Sequence, residues 1–366
     1  MEKIATICVL LVIVASLLAV SSTVRADDQP VRFLGISKYY AGYSSACIFR
    51  VDDFVVSPED IYTITFSAKS KNSSFANYQM ELTSHITSKY PDVRLVVGLI
   101  TNGGSGAKEA ELWEQMNMLV RTYGWEIASH TKYHSLPPRS IDDIIGALMD
   151  IESNITGYRV YTYIPPYGKT SSGEARLLSQ HGVRIIMLST PIQLLLPRNW
   201  NRIHITVKIS DKLPWGFFLH IIHRMENVIG GTMIIYTHAT SYDWRSADSL
   251  LKSFDKAIKA VKDNKTWITV PSELYRYELE RKIIRVEQAN ATSYIVRATK
   301  QLDFDPVPIT LTFKVKAQVE DVRCNDTSLP RLEWPGYRPV PGYTQRGDIL
   351  LVNTYPDSII TIILKQ

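Results

Sequence analysis

The stretch Ala46-Cys47-Ile48-Phe49-Arg50-Val51-Asp52-Asp53 is apolar except for one arginine and stops at two adjacent carboxylates. An apolar run that does not alternate with polar residues reads as a β-strand covered on both faces. The pattern returns along the chain. Residues 93–100 form a second such run, 125–129 lead into His130, and 158–164 lead into Pro165-Pro166-Tyr167. Residues 183–188 are apolar except for Arg184, Met233 to Thr237 lead into His238, and 267–270 close the series. Stretches of helical character separate these runs, at 75–89, 109–123, 140–153, 172–181, 246–262 and 272–282. Ser140 is placed to cap one of them, with Asp142 and Asp143 in its first turn; Gly182 is placed to end another, and Pro271 to open the last. Strands alternating with helices imply βαβ units around a parallel sheet. The fold class is therefore α/β, a (β/α) barrel with eight strands or fewer. In such folds reactive groups collect where strands end. Asp52, Asp53, His130, Tyr167 and His238 all fall there.

Two regions depart from this rhythm. Residues 190–231 are irregular and hold Trp200, Trp215, Phe217, Phe218, His220 and His223. They read as an insertion that shapes a cleft, or as further core aromatics. Beyond residue 283 the helices stop. Runs at 284–286, 293–298, 309–315, 318–322, 348–353 and 359–364 are rich in β-branched residues and separated by Pro, Gly, Asn and Asp. They predict a small antiparallel β-sandwich. The expected organisation is a leader over 1–26, a barrel over 27–282 and a β-rich domain over 283–366.

The chain has 366 residues, 45% of them hydrophobic, and a net charge of +5 not gathered into any run. That balance argues against a nucleic-acid partner. Lys3, an apolar run over 4–20 and Val24-Arg25-Ala26 predict a secretory signal cleaved after Ala26. The alternative is an uncleaved anchor, and only through that segment is a membrane contact expected. Sequons at Asn72, Asn154, Asn264, Asn290 and Asn325 fit an exported, cell-surface glycoprotein. Cys8 lies in the leader; Cys47 and Cys324 read either as a disulfide pair or as two buried thiols.

The residue types point to hydrolysis. One carboxylate and two imidazoles can hold a divalent metal with a coordination position left open. A neighbouring carboxylate can accept a proton from water. The four-residue spacing of His130 and His134 predicts that both imidazoles share one face of a helical turn. His238 reads as a general acid. The donor set suits zinc, with cobalt or nickel also accommodated.

Arg50-Val51-Asp52-Asp53, Glu126 to His134, Pro165-Pro166-Tyr167-Gly168 and Ile234 to His238 occur in an order that resembles the polysaccharide deacetylases, the NodB-homology family also called carbohydrate esterase family 4. The resemblance covers roughly residues 46 to 275. It implies a deformed (β/α) barrel and a metal-dependent hydrolase acting on N- or O-acetylated sugars. It implies Asp52 as base, Asp53, His130 and His134 as metal ligands, the Tyr167 backbone N–H as oxyanion donor, and His238 as acid. Two departures stand out. Ile164 occupies the place of an arginine that contacts the catalytic aspartate, and Arg50 is the candidate replacement. No Asp-x-x-Asp-Trp follows the strand ending at Leu188, and Asp243-Trp244 comes only after His238. Those gaps keep open an inactive relative that binds glycans at the cell surface, and an amidase on a non-sugar substrate is a further alternative.

Overall fold

A computed structural model describes residues 29–365, except 57–60, 67–70, 103–106, 189–191, 195–202 and 335. The expected leader, 1–26, and Trp200 lie outside the described residues. The first half of the chain contributes strands β1 (Val31–Ile36), β2 (Ser45–Val55), β3 (Ile61–Phe66), β4 (Lys71–Ala76), β5 (Leu95–Ile100) and β6 (Glu126–Ser129). Then come β7 (Thr162–Tyr163), β8 (Ile185–Ile186), β9 (Ile192–Leu194), β10 (Ile203–Lys208), β11 (Thr232–His238) and β12 (Thr266–Ile268). The helices are α1 (Gln79–Lys89), α2 (Ala107–Arg121), α3 (Ala147–Asn154), α4 (Ser172–Gln180), α5 (Trp215–Ile229), α6 (Ala247–Val261) and α7 (Pro271–Ile283).

One sheet runs β8-β7-β6-β5-β2-β11-β10-β9, with β12 also paired to β2. Every pairing in it is parallel except β9 with β10. Strand β2 is its centre. It carries β11 on one side and shares the other between β12 near its start and β5 near its end. All eleven of its residues are buried, which is why its first half, to Val51, reads as apolar apart from Ser45 and Arg50. β8 and β9 end the order without pairing to each other among the described residues, so the barrel is open and deformed.

Residues 75–76 belong to strand β4, which forms a hairpin with β3, and the helix begins only at Gln79. The stretch 190–231 is more regular than its sequence suggests. It supplies β9, β10 and α5, so it extends the sheet rather than decorating it.

The C-terminal part is all β, as expected. It contains β13 (Ile284–Gln288), β14 (Ser293–Ala298), β15 (Ile309–Val315), β16 (Val319–Cys324), β17 (Thr327–Ser328), β18 (Gly342–Arg346), β19 (Ile349–Thr354) and β20 (Ser358–Leu364). They form two antiparallel sheets, β1-β15-β19-β18 and β13-β14-β20-β16-β17. The sheets meet through Tyr294, whose ring lies 4.8 Å from Phe313 and 6.3 Å from Phe33. Strand β1 lies within the span 27–282 but pairs with β15, so the sandwich takes an edge from the chain's beginning. Trp267 Nε1 and Arg94 Nη2 both donate to the Tyr337 carbonyl at 2.7 Å, tying the barrel to the loop that leads to β18.

Candidate active site at the strand ends

Adjacent residues of a regular strand point to opposite faces, so Asp52 and Asp53 need a device to share one site. The device is a bulge. Val51 pairs with Val97 and Phe54 with Leu99, leaving Asp52 and Asp53 opposite the single residue Gly98. Asp53 takes the left-handed conformation at φ 63°. Gly98 has no side chain because His130 occupies that space: a Cβ there would lie 3.3 Å from the His130 ring. Thr131, His134 and Tyr167 are also left-handed, so four of the eight non-glycine residues with positive φ among the described residues belong to the segments that form the pocket.

His130 extends β6, its N–H donating to Leu99 O at 2.9 Å. Its Nδ1 donates to Ile164 O at 2.6 Å, which leaves Nε2 facing Asp53 Oδ1 at 3.2 Å. His134 Nε2 faces the same oxygen at 3.3 Å. The ligand atoms of Asp53, His130 and His134 all lie within 4.8 Å of one another, and all three residues are buried. The expected helical turn between the histidines is absent. Residues 130–134 form a loop in which Thr131 and His134 have positive φ. Asp143, 1% exposed, holds that loop by accepting from Lys132 N at 3.0 Å, Tyr133 N at 2.7 Å and the Ser135 hydroxyl. The loop's backbone donors are satisfied by a buried carboxylate instead of a helix.

Asp52 and His238 sit level across the β2–β11 ladder. Arg50, two residues before Asp52, points to the same side of the strand. Its Nε donates to Oδ1 at 2.7 Å and its Nη2 to Oδ2 at 2.5 Å; Nη1 donates to Met187 O and Leu188 O. Arg50 therefore makes the contact for which Ile164 has no side-chain chemistry. Burial works to raise the Asp52 pKa, but the Arg50 charge and hydrogen bonds outweigh it and hold the carboxyl below its usual range. Arg50→Leu is expected to cost about 3–5 kcal/mol of stability, because it strands a buried carboxylate. Urea unfolding midpoints measure it, and a change under about 0.5 kcal/mol, typical of surface sites, would refute the pairing.

His238 Nδ1 donates to Asp243 Oδ2 at 2.6 Å, and its backbone N–H donates to the same oxygen at 3.1 Å. Nε2 is thereby left toward the pocket. Trp244 Nε1 donates to His238 O and to the Thr237 hydroxyl, both at 3.0 Å. Asp243-Trp244 thus buttresses His238 from the turn that follows it, not from the strand ending at Leu188. Lys208 Nζ meets the other Asp243 oxygen at 2.9 Å. Burial disfavours the charged His238 ring, but Asp53 and Asp243 outweigh it and raise the pKa. Burial would raise Asp53 too; the His238 charge and hydrogen bonds from His130 and His134 hold it well below the usual range. Burial lowers His134, favouring the neutral, ligating form.

The Pro165-Pro166-Tyr167-Gly168 turn is closed by Gly168 N donating to Pro165 O at 3.0 Å. Arg139 supports it, donating to Pro166 O at 3.1 Å and pairing with Glu174. Glu174 is in turn half of the Ser171–Glu174 capping box of α4. The Tyr167 ring packs 4.9 Å from that of His134. Asp52, Asp53, His130, His134, Tyr167 and His238 together line one cavity of about 220 Å³, with Lys208, Tyr236 and Tyr242 on the same walls.

The structural neighbours are family 4 carbohydrate esterases. One from Streptomyces lividans is 13% identical, with 61% of this chain and 91% of that chain covered and a TM-score of 0.36. A peptidoglycan deacetylase from Bacillus subtilis is 16% identical, with 68% and 96% covered and a TM-score of 0.37. A family 4 pseudoenzyme from Bacillus anthracis is 15% identical, with 61% and 63% covered and a TM-score of 0.35; this chain spans less than two thirds of its length. No protein-family model matches the sequence, and no curated protein matches it. At such identities the likeness concerns the backbone alone, so the chemistry is argued from the side chains described above.

The remaining candidates lie elsewhere. Cys47 and Cys324 are both free thiols, not a disulfide: Cys47 is buried in β2 of the barrel, and Cys324 lies on β16 of the sandwich. Burial pushes the Cys47 thiol pKa up, so it behaves as a small apolar side chain. Asn154, Asn264, Asn290 and Asn325 are exposed, and the Asn72 side chain lies outside the described residues. Asp143, Asp243, Lys208 and Arg139 support the site without having been singled out for it. Asp243 had a legible signal, an aspartate followed by tryptophan just after the strand-end histidine.

Proposed function

We propose that this chain is an exported, metal-dependent hydrolase that removes acetyl groups from N- or O-acetylated sugars. The observation that carries the reading is the convergence of His130 Nε2 and His134 Nε2 on Asp53 Oδ1, with Asp52 and His238 lining the same cavity. Two neutral imidazoles and one carboxylate fit a zinc ion, with cobalt or nickel also suited. When bound, the ion supplies Lewis acidity to the acyl carbonyl and lowers the pKa of water in the site. Asp52, kept ionised by Arg50, accepts the proton from that water. The Tyr167 backbone N–H serves as oxyanion donor. His238, its Nδ1 committed to Asp243, delivers a proton from Nε2 to the leaving nitrogen or oxygen.

The inactive, glycan-binding alternative was motivated by two missing supports, an arginine on the base and a carboxylate on the acid. Arg50 and Asp243 make those contacts from other positions, which favours activity. The test is an acetate-release screen over acetylated chitin oligomers, peptidoglycan and xylan. Activity should vanish with a chelator and return with zinc. Zinc-loaded protein that binds glycans but releases no acetate from any of them would overturn the reading.

A further inference from the structure

The helix that continues as α3 starts irregularly. Before Ala147 its backbone widens into a π-turn over Asp142–Gly146, a form that occurs mostly as single turns and often at functional sites. Three consecutive residues of that turn, Asp143, Ile144 and Ile145, are buried. Ser140 keeps its expected capping place, its hydroxyl accepting from Asp143 N at 3.0 Å. The Asp143 side chain, however, leaves the helix and reaches the residues on either side of His134.

The loop that carries His134 is fastened along both edges. On one edge Thr101 N and Asn102 N donate to Thr131 O at 3.4 Å and to Lys132 O at 3.0 Å, beyond the end of the β5–β6 ladder. On the other, Asp143 Oδ1 accepts from Lys132 N and Tyr133 N, and Asp143 Oδ2 from the Ser135 hydroxyl. Lys132 N also meets Asp143 O at 2.9 Å. Inside the loop His134 N donates to the Thr131 hydroxyl at 2.9 Å. Lys132 Nζ lies 3.6 Å from Asp142 Oδ1 and from Asp150 Oδ2, solvent-facing pairs of small worth beside the buried carboxylate. Asp143 thus grips the two residues before His134 and the one after it. A ligand held in place before the ion arrives leaves less of the chain to be ordered on binding.

We propose that Asp143 is the positioning residue of this loop: it holds His134 in the ligating arrangement in the absence of metal and thereby sets the affinity for the ion. This role rests on the metal site of the proposed hydrolase. It gives the π-turn a purpose, because that turn presents a buried carboxylate to a loop outside its own helix.

The test measures zinc binding by competition with a chromophoric chelator, independently of turnover. Asp143→Ala should weaken zinc about tenfold to a hundredfold, the usual effect of removing a group that orients a metal ligand. Asp143→Asn keeps an acceptor oxygen for the two N–H groups and should recover most of the affinity. With cobalt in place of zinc, the visible spectrum should change in Asp143→Ala and stay native in Asp143→Asn. Wild-type affinity in Asp143→Ala would overturn the proposal. So would an Asp143→Asn variant as weak as Asp143→Ala, since charge and not loop position would then set the affinity. Amide hydrogen exchange of zinc-free wild type decides the matter where a variant fails to fold. The Lys132 and Tyr133 amides should be protected there, and exchange as fast as in a free peptide would overturn the proposal. Wild type that binds no zinc would instead overturn the metal site itself, and this role with it.

Discussion

Asp53→Asn is expected to lose stoichiometric zinc and to slow acetate release at least about a thousandfold, roughly 4 kcal/mol of transition-state stabilisation. Asp53 is the carboxylate of the three-residue cluster, and both histidine Nε2 atoms face its Oδ1. Asparagine is the informative substitution, because it tolerates the left-handed backbone at φ 63° that alanine would strain. A fall in activity therefore reports the lost charge and not a broken bulge. Elemental analysis of the purified variant and its turnover decide the matter. Full zinc content with wild-type turnover would remove Asp53 from the site. In metal-free wild type, the depressed Asp53 pKa contributes stability that is present above about pH 4 and is lost as pH falls through the folded value.

Asp243→Asn is expected to reduce turnover near pH 7 by about a hundredfold to a thousandfold, within the range of general-acid contributions. The carboxylate fixes the His238 tautomer through Nδ1 and helps hold the ring protonated. Without its charge the His238 pKa falls, and less of the acid carries a proton. The alkaline limb of the pH–rate profile should move to lower pH, which a general loss of structure would not produce. Stability follows the same linkage. The raised His238 pKa contributes below about pH 6.5 and is lost as pH rises through the folded value; the lowered Asp243 pKa contributes above about pH 4. The variant's deficit in melting temperature should thus be greatest between those limits. An unmoved alkaline limb would show that His238 is not the acid.

The comparison of sequence with structure divides along physical lines. The strands and their reactive ends were legible because burial on both faces favours largely apolar runs, as in Ala46–Val51 of β2 and Met233–Tyr236 of β11. Arg50 was legible because it sits beside the aspartates in sequence, and the structure adds that strand alternation puts it on the side of Asp52. The bulge at Asp52-Asp53 was not, since its left-handed residue is an aspartate and no glycine marks it. The His130–His134 spacing suggested a helical turn because spacing alone cannot distinguish a turn from a loop pinned by a distant carboxylate, here Asp143. Asp243 stands out of the order that the family resemblance implies, yet a short turn after β11 brings it onto His238 as well as a crossover would.

The pairing of β1 with β15 also sets a timetable for biosynthesis. Val31 leaves the ribosome about 280 residues ahead of its partner strand, which at about 5–20 residues per second is a wait of roughly fifteen seconds to a minute. For that interval β1 has emerged without the neighbour that will complete its ladder. A factor that shields this edge during synthesis should therefore raise the yield of folded protein, while one that acts only after release from the ribosome should help less.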